Sequence, residues 1–225
     1  MPTARERVRA ELTTEITDAA RRQLAEVGAA ALSLRAVARE LGMASSAVYR
    51  YFPSRDDLLT RLIIDGYNDL GAAAEAADEP AAPPAGRWLA VCRAVRTWAL
   101  AHPHEYALLY GSPVPGYAAP ADTVPAASRV GVVLGRILGE AARSGALREA
   151  TGERGPGLVS QDAVDVLGGE HPALDETVRV RALLAWSALF GTISFELFGH
   201  FVGSVEDGDR YFDRVVTDLA RLIGF

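Results

Sequence analysis

The chain has 225 residues, 49% apolar and 23% charged, which suits one large or two small cored domains and excludes wholesale disorder. Its formal net charge is −6, so it is not a general polyanion binder, and all 23 basic residues are arginine. One cysteine, Cys92, excludes an internal disulfide and fits a reducing compartment as a small buried thiol.

Helical periodicity covers nearly the whole chain, with no alternating strand and no internal repeat. A capping box at Thr3 opens a first helix, and Gly28 closes it. Its inner stripe is Ile16, Ala19, Ala20 and Leu24. "SLRAVAREL" (33–41) sets Leu34, Val37, Ala38 and Leu41 on one face, and Gly42 ends that helix. "GMASSAVYRYF" (42–52) follows after a sharp turn. Ser54 then caps a fourth helix with Asp56 and Asp57 in its first turn, extending to about Ala77. "DEPAAPPAG" (78–86) breaks it, which places a domain boundary there or along the fourth helix. Further helices are expected over 87–101, 104–110, 127–147, 173–202 and 210–225, with a Pro/Gly-rich crossing after 110 and a polar loop over 148–172. The fold class is all-α, with about nine helices. The division is 1–53 as a head, 54–77 as a connector and 78–225 as a body.

Two short helices joined by a tight turn, the second with a polar and aromatic outer face, form a helix-turn-helix pattern. Val48 and Phe52 face Leu34, Val37 and Leu41. Ser46 and Arg50 lie opposite, flanked by Ala47, Tyr49 and Tyr51. Small residues at 44–47 keep this turn slim enough for a major groove about 12 Å wide. Tyr49 and Tyr51 can donate to phosphates, and Arg50 can reach a phosphate or a guanine edge. Arg55 joins free backbone N–H groups that favour a phosphate. Residues 1–61 carry ten arginines against eight acids, whereas the remainder is strongly acidic, so a mildly basic head sits on an acidic body. The same wheel also fits a surface helix with half-buried tyrosine rings.

The run "LSLRAVARELGMASSAVYRYFPSRDDLL" resembles the DNA-binding domain of TetR-type transcriptional regulators. Gly28, Val37-Ala38, Leu41-Gly42, Val48-Tyr49 and Phe52 carry the resemblance. It implies that Arg35 reads a base or phosphate and that Ser33 reaches a phosphate. It makes Ser45, Ser46, Ala47, Tyr49 and Tyr51 the recognition contacts and Arg55 the phosphate anchor. Ala44 departs from the pattern, which has a capping Ser or Thr there, so Ser45 is expected to take over the cap.

In the body, "ALLAWSALFGTISFELFGHF" (182–201) is apolar on two faces, more than one monomer core requires. Leu184, Ala188, Gly191, Phe195 and Phe198, with Phe212, Val215, Leu219 and Leu222 of the last helix, read as a two-fold four-helix interface. A thoroughly buried central helix is the alternative. TetR-type proteins dimerise through their last two helices, which implies a homodimer. Trp88, Cys92, Trp98, Tyr106, Tyr110, Trp186, Phe190 and His200 are candidates to line an effector pocket, each equally at home in a core. "AHPHEYALLYGSPVPGY" (101–117), followed by a Trp-containing helix, resembles an actinobacterial-style sensor subgroup, and that resemblance implies a histidine before the glycine of Trp186–Gly191. Phe190 stands there instead, which favours an apolar effector.

No G-x-S-x-G, H-E-x-x-H or Walker loop is present, so no enzyme is expected. "HPHE" (102–105) breaks at Pro103 and is not expected to hold a metal, and no cofactor is implied. The N-terminus lacks the apolar core of a signal peptide, and the longest uncharged apolar run stops at Glu196. A cytoplasmic chain without membrane contact is expected. The resulting expectation is a regulator that binds a palindromic double-stranded DNA operator as a homodimer and is released by a small-molecule effector. The alternative is a helical ligand-binding or protein-interaction module that binds no operator.

Overall fold

A computed structural model describes residues 3–148, 157–160, 163 and 174–225. Among the described residues there are ten α-helices, one short 3-10 turn (Ala121–Thr123) and no strand. The count exceeds nine because the crossing after 110 holds a four-residue helix. Most of the polar loop expected over 148–172 lies outside the described residues.

Helix α1 (Ala4–Ala31) opens on the expected capping box: Glu6 N–H donates to Thr3 Oγ1 at 3.2 Å, and Thr3 N–H donates to the Glu6 carboxylate at 2.6 Å. At Gly28 the backbone turns to φ +74°, which breaks the helix one short turn before its end. Helix α2 (Leu34–Glu40) ends where Gly42 takes φ +65°. Gly42 N–H donates to the Arg39 carbonyl and Met43 N–H to the Ala38 carbonyl, a Schellman closure. Helix α3 (Ser45–Val48) is a single turn, continued to Phe52 by backbone hydrogen bonds. Ser54 and Asp57 cap α4 (Arg55–Ala77) reciprocally, through Ser54 N–H to the Asp57 carboxylate (2.9 Å) and Asp57 N–H to Ser54 Oγ (3.1 Å).

Helices α5 (Pro84–Ala101) and α6 (Pro103–Tyr110) each start on a proline, whose missing N–H costs nothing in a first turn. Helices α7 (Val124–Ala127), α8 (Arg129–Arg143), α9 (Glu176–Leu197) and α10 (Gly208–Ile223) follow among the described residues. Helix α9 stops five residues short of the expected 202.

The chain forms two compact units, Met1–Tyr67 with His102–Val124, and Asn68–Ala101 with Pro125–Phe225. This differs from the division 1–53, 54–77 and 78–225. Helix α6 packs on α1, Leu108, Val114 and Tyr117 join the first core, and Tyr117 Oη lies 2.9 Å from Thr60 Oγ1. A sequence boundary drawn at the proline-rich break cannot see that return. The first core is Ile16, Ala19, Ala20, Leu34, Val37, Val48, Phe52, Leu58 and Leu59.

In the second unit, α5, α8, α9 and α10 bury Trp88, Val91 and Val95, then Val133 and Ile137, then Ala185, Leu189 and Ile193, and lastly Phe212 and Val216. Beneath them lies an ion network. Buried Arg87 Nε donates to Asp78 at 2.5 Å, and its Nη1 donates to Glu140. Arg136 reaches the same Asp78 at 2.5 Å. The hydrogen bond from Arg87, more than that from Arg136, holds the Asp78 carboxyl below its usual range.

Helix α9 is long and apolar enough by composition to cross a membrane, although its uncharged run stops at Glu196. Its Ala182, Ala185, Leu189 and Ile193 are packed into the second unit, so only one apolar face is left outward.

Candidate nucleic-acid interface

Val48 (fully buried) and Phe52 fasten the recognition turn to α2, as their spacing predicts. That anchoring turns Ser46, Tyr49 and Arg50 outward, and Tyr49 is 41% exposed despite its ring. Ser45 and Ala47 are half-buried at the rim. Arg35 projects to solvent from the first turn of α2, and Ser33 is the N-cap of that helix with no side-chain capping bond. Among the described residues, Arg35 and Arg50 have no carboxylate partner. The surface therefore offers hydroxyls and guanidiniums around small side chains, the donor set that reads phosphates and base edges.

Three expectations change. Ser45 does not take over the cap: Ala44 is the N-cap residue and no side chain closes that end, so the Ser45 hydroxyl stays available. Tyr51 is half-buried against the first core, and the Arg9 guanidinium lies 5.2 Å from its ring centroid. Arg9 was not singled out by the sequence reading, although its place on the inner stripe of α1 was a visible signal. Arg55 is not a free phosphate anchor. Its Nη2 donates to the Ala29 carbonyl at 2.7 Å and to Ala30 at 3.1 Å, and its Nε donates to Leu32 at 3.2 Å. Its remaining nitrogen lies 3.8 Å from Asp56. Arg55 satisfies the carbonyls left over where α1 ends, a structural task.

The pocket candidates fall into both units. In the first, Tyr106 is buried with its ring 5.0 Å from Tyr110, and Tyr110 meets Tyr67 edge-on at 5.8 Å. Burial pushes the Tyr110 hydroxyl well above its ordinary value. In the second, Trp88, Cys92, Trp98 and Phe190 are buried, and the Trp186 ring lies tilted against Phe190 with centroids 4.6 Å apart. Burial raises the Cys92 thiol, which makes it inert. The Trp88 indole N–H is buried with no acceptor among the described residues. His200 is no pocket residue: it is exposed, with its ring beside the exposed Phe195.

Among the expected interface residues, Leu184 (53% exposed), Phe195, Phe198 and Leu222 project outward. Ala188, Gly191, Val215 and Leu219 are half-buried. Phe212 is a correction: at 1% exposure it faces its own subunit, under the Arg96 guanidinium. Leu183 and Val180, which the sequence reading left out of this face, are exposed beside it.

Comparison with known proteins agrees with this geometry. Residues 16–62 match the family described as bacterial regulatory proteins, tetR family, and residues 88–219 match the tetracyclin repressor-like C-terminal domain. The HTH-type transcriptional regulator Rv1816 of Mycobacterium tuberculosis is 41% identical over 198 residues, covering 86% of this chain and 83% of its own. The solved structure of the regulatory protein SCO4313 superposes with a TM-score of 0.77 at 36% identity, covering 96% of this chain and 98% of its own. A tetR-family regulatory protein from Rhodococcus RHA1 shares the fold, with a TM-score of 0.66 at 20% identity over 94% and 96% of the two chains. These matches show that the chain belongs to the TetR family of DNA-binding transcriptional regulators, which are not enzymes.

Proposed function

We propose that this regulator binds a palindromic operator as a homodimer, represses from it in the cytoplasm, and is released by a small, mainly apolar effector. The observation that carries the reading is the recognition turn, where Ser46, Tyr49 and Arg50 face solvent while Val48 and Phe52 hold their backbone in the core. Ser33, Arg35, Ser45, Ala47 and Tyr51 complete the contact surface.

Dimerisation is supported by the outward exposure of the large apolar side chains Leu184, Phe195, Phe198 and Leu222 on the last two helices. An added Cβ at Gly191 would meet nothing of its own chain within 4 Å, so a partner helix has room to approach there. An effector is supported by the aromatic side chains Trp88, Trp98, Trp186 and Phe190 in the second unit and by the buried Trp88 N–H, which has no acceptor among the described residues. Leaving such a donor unpaired costs about 1–3 kcal/mol, which an acceptor atom on a bound molecule would recover. Operator half-sites lie a helical turn or a multiple apart, so a small change in the spacing of two heads is enough to release DNA.

Selection of duplexes from a random pool by the purified protein tests the reading. An enriched inverted repeat is expected, bound by two chains, with Phe195→Glu reducing the protein to monomers. A pool left unenriched would favour the operator-free module.

A further inference from the structure

The core-facing stripe of α1 does not stop where the core stops. Ile16 is the first buried residue of the helix, yet the capping box at Thr3 keeps the chain helical for about 18 Å before it, at about 1.5 Å per residue. At about 100° per residue, Arg9 and Arg5 fall within about 20° of Ile16 on the wheel, with half-buried Leu12 beside them. Where the stripe leaves the core, arginine replaces apolar residues.

These arginines face the recognition turn. Arg5, Arg9, Arg50 and Tyr51, with Ala4 and Val8, line a solvent-open cleft of about 520 Å³. Among the described residues none of the three guanidiniums has a carboxylate partner, although α1 carries Glu6, Glu11 and Glu15. Glu6 is engaged at Thr3, and the spacing turns Glu11 and Glu15 about 140° and 100° away from the stripe. Three like charges around one cleft repel each other unless an anion joins them. The Tyr51 ring meets Arg9 at 5.2 Å and so restrains a guanidinium whose N–H groups suit a phosphate.

We propose that Arg5 and Arg9 complete, with Arg50 and Tyr51, a phosphate-binding cleft for the DNA backbone beside the bases that the α3 turn reads. The assignment rests on the operator-binding reading and extends the DNA surface from the helix-turn-helix to the start of α1. Such contacts are blind to sequence and depend on salt.

The test measures affinity against salt concentration for two probes, a mixed-sequence 30-base-pair duplex and a duplex recovered by selection. The double variant Arg5→Ala/Arg9→Ala is expected to weaken both probes by the same factor, about tenfold or more. The slope of log affinity against log salt should shrink by about one for each lost phosphate contact. Arg5→Lys/Arg9→Lys, which keeps the charge, should retain most of the affinity. Both sites are exposed, so helix content by circular dichroism should not change. Wild-type affinity and slope in the alanine double variant would overturn the cleft while leaving operator binding intact, as would a loss confined to the selected duplex. A wild-type protein that binds neither duplex would remove the operator reading and the cleft together.

Discussion

In the helix-turn-helix, Arg35 and Arg50 reach solvent with no carboxylate partner among the described residues, whereas in the second unit Arg87, Arg93, Arg96, Arg129 and Arg136 are each matched to acids of their own chain. Arg96 donates to Glu196 at 2.6 and 2.8 Å, Arg129 to Glu75 at 2.7 and 2.8 Å, and Arg87 to Asp78 and Glu140. One residue type thus performs two tasks. Guanidiniums that are satisfied internally fix helices in place, and those that are not are open to an external anion. Charge totals hide this distinction. The head is only slightly basic by count, and on the function proposed above it is the arginines without an internal partner that are open to DNA.

The strongest test of the comparison removes a partner in the second unit. Asp78→Ala leaves Arg87, 3% exposed, with a single acid, and should cost about 3–5 kcal/mol in denaturant unfolding. The same carboxyl gives a pH signature. It is held below its ordinary value of 3.8, so the folded chain binds fewer protons there than the unfolded one. Its stabilisation is complete above about pH 4 and is lost as pH falls through the lower folded value, a decline that Asp78→Ala should flatten.

Arg55 sharpens the comparison, because it lies in the head yet behaves like the arginines of the second unit. Arg55→Ala removes its guanidinium from three carbonyls at the end of α1, of which Ala29 keeps the Leu32 N–H, and should lower stability by about 1–3 kcal/mol. Smallest is the effect at Arg50. Exposed and unpaired, it should change stability by no more than about 0.5 kcal/mol when replaced by Ala.

What the sequence made legible was local. The Thr3 and Ser54 caps, the breaks at Gly28 and Gly42 and the inward pair Val48–Phe52 each depend on residues a few positions apart, where spacing fixes geometry. What stayed hidden depends on distant partners. Arg55 meets carbonyls 23 to 26 residues upstream, and nothing in "PSRDDLL" announces them. Phe212 lies on the same amphipathic helix as Leu222, but only the packing of α5 against α10 turns it inward. His200 falls outside the pocket set because α9 ends at Leu197, which an apolar run continuing past it does not signal. Residues 102–124 read as body by chain order and pack as head because α6 finds α1.

The most direct test sets Arg50→Ala beside Arg55→Ala, measuring for each the affinity for a selected duplex and the midpoint of unfolding. The Arg50 variant should lose affinity and keep its midpoint, while the Arg55 variant should show the lower midpoint. An Arg50 variant that binds as tightly as wild type, or an Arg55 variant that loses DNA with its midpoint unmoved, would contradict the division of labour drawn here.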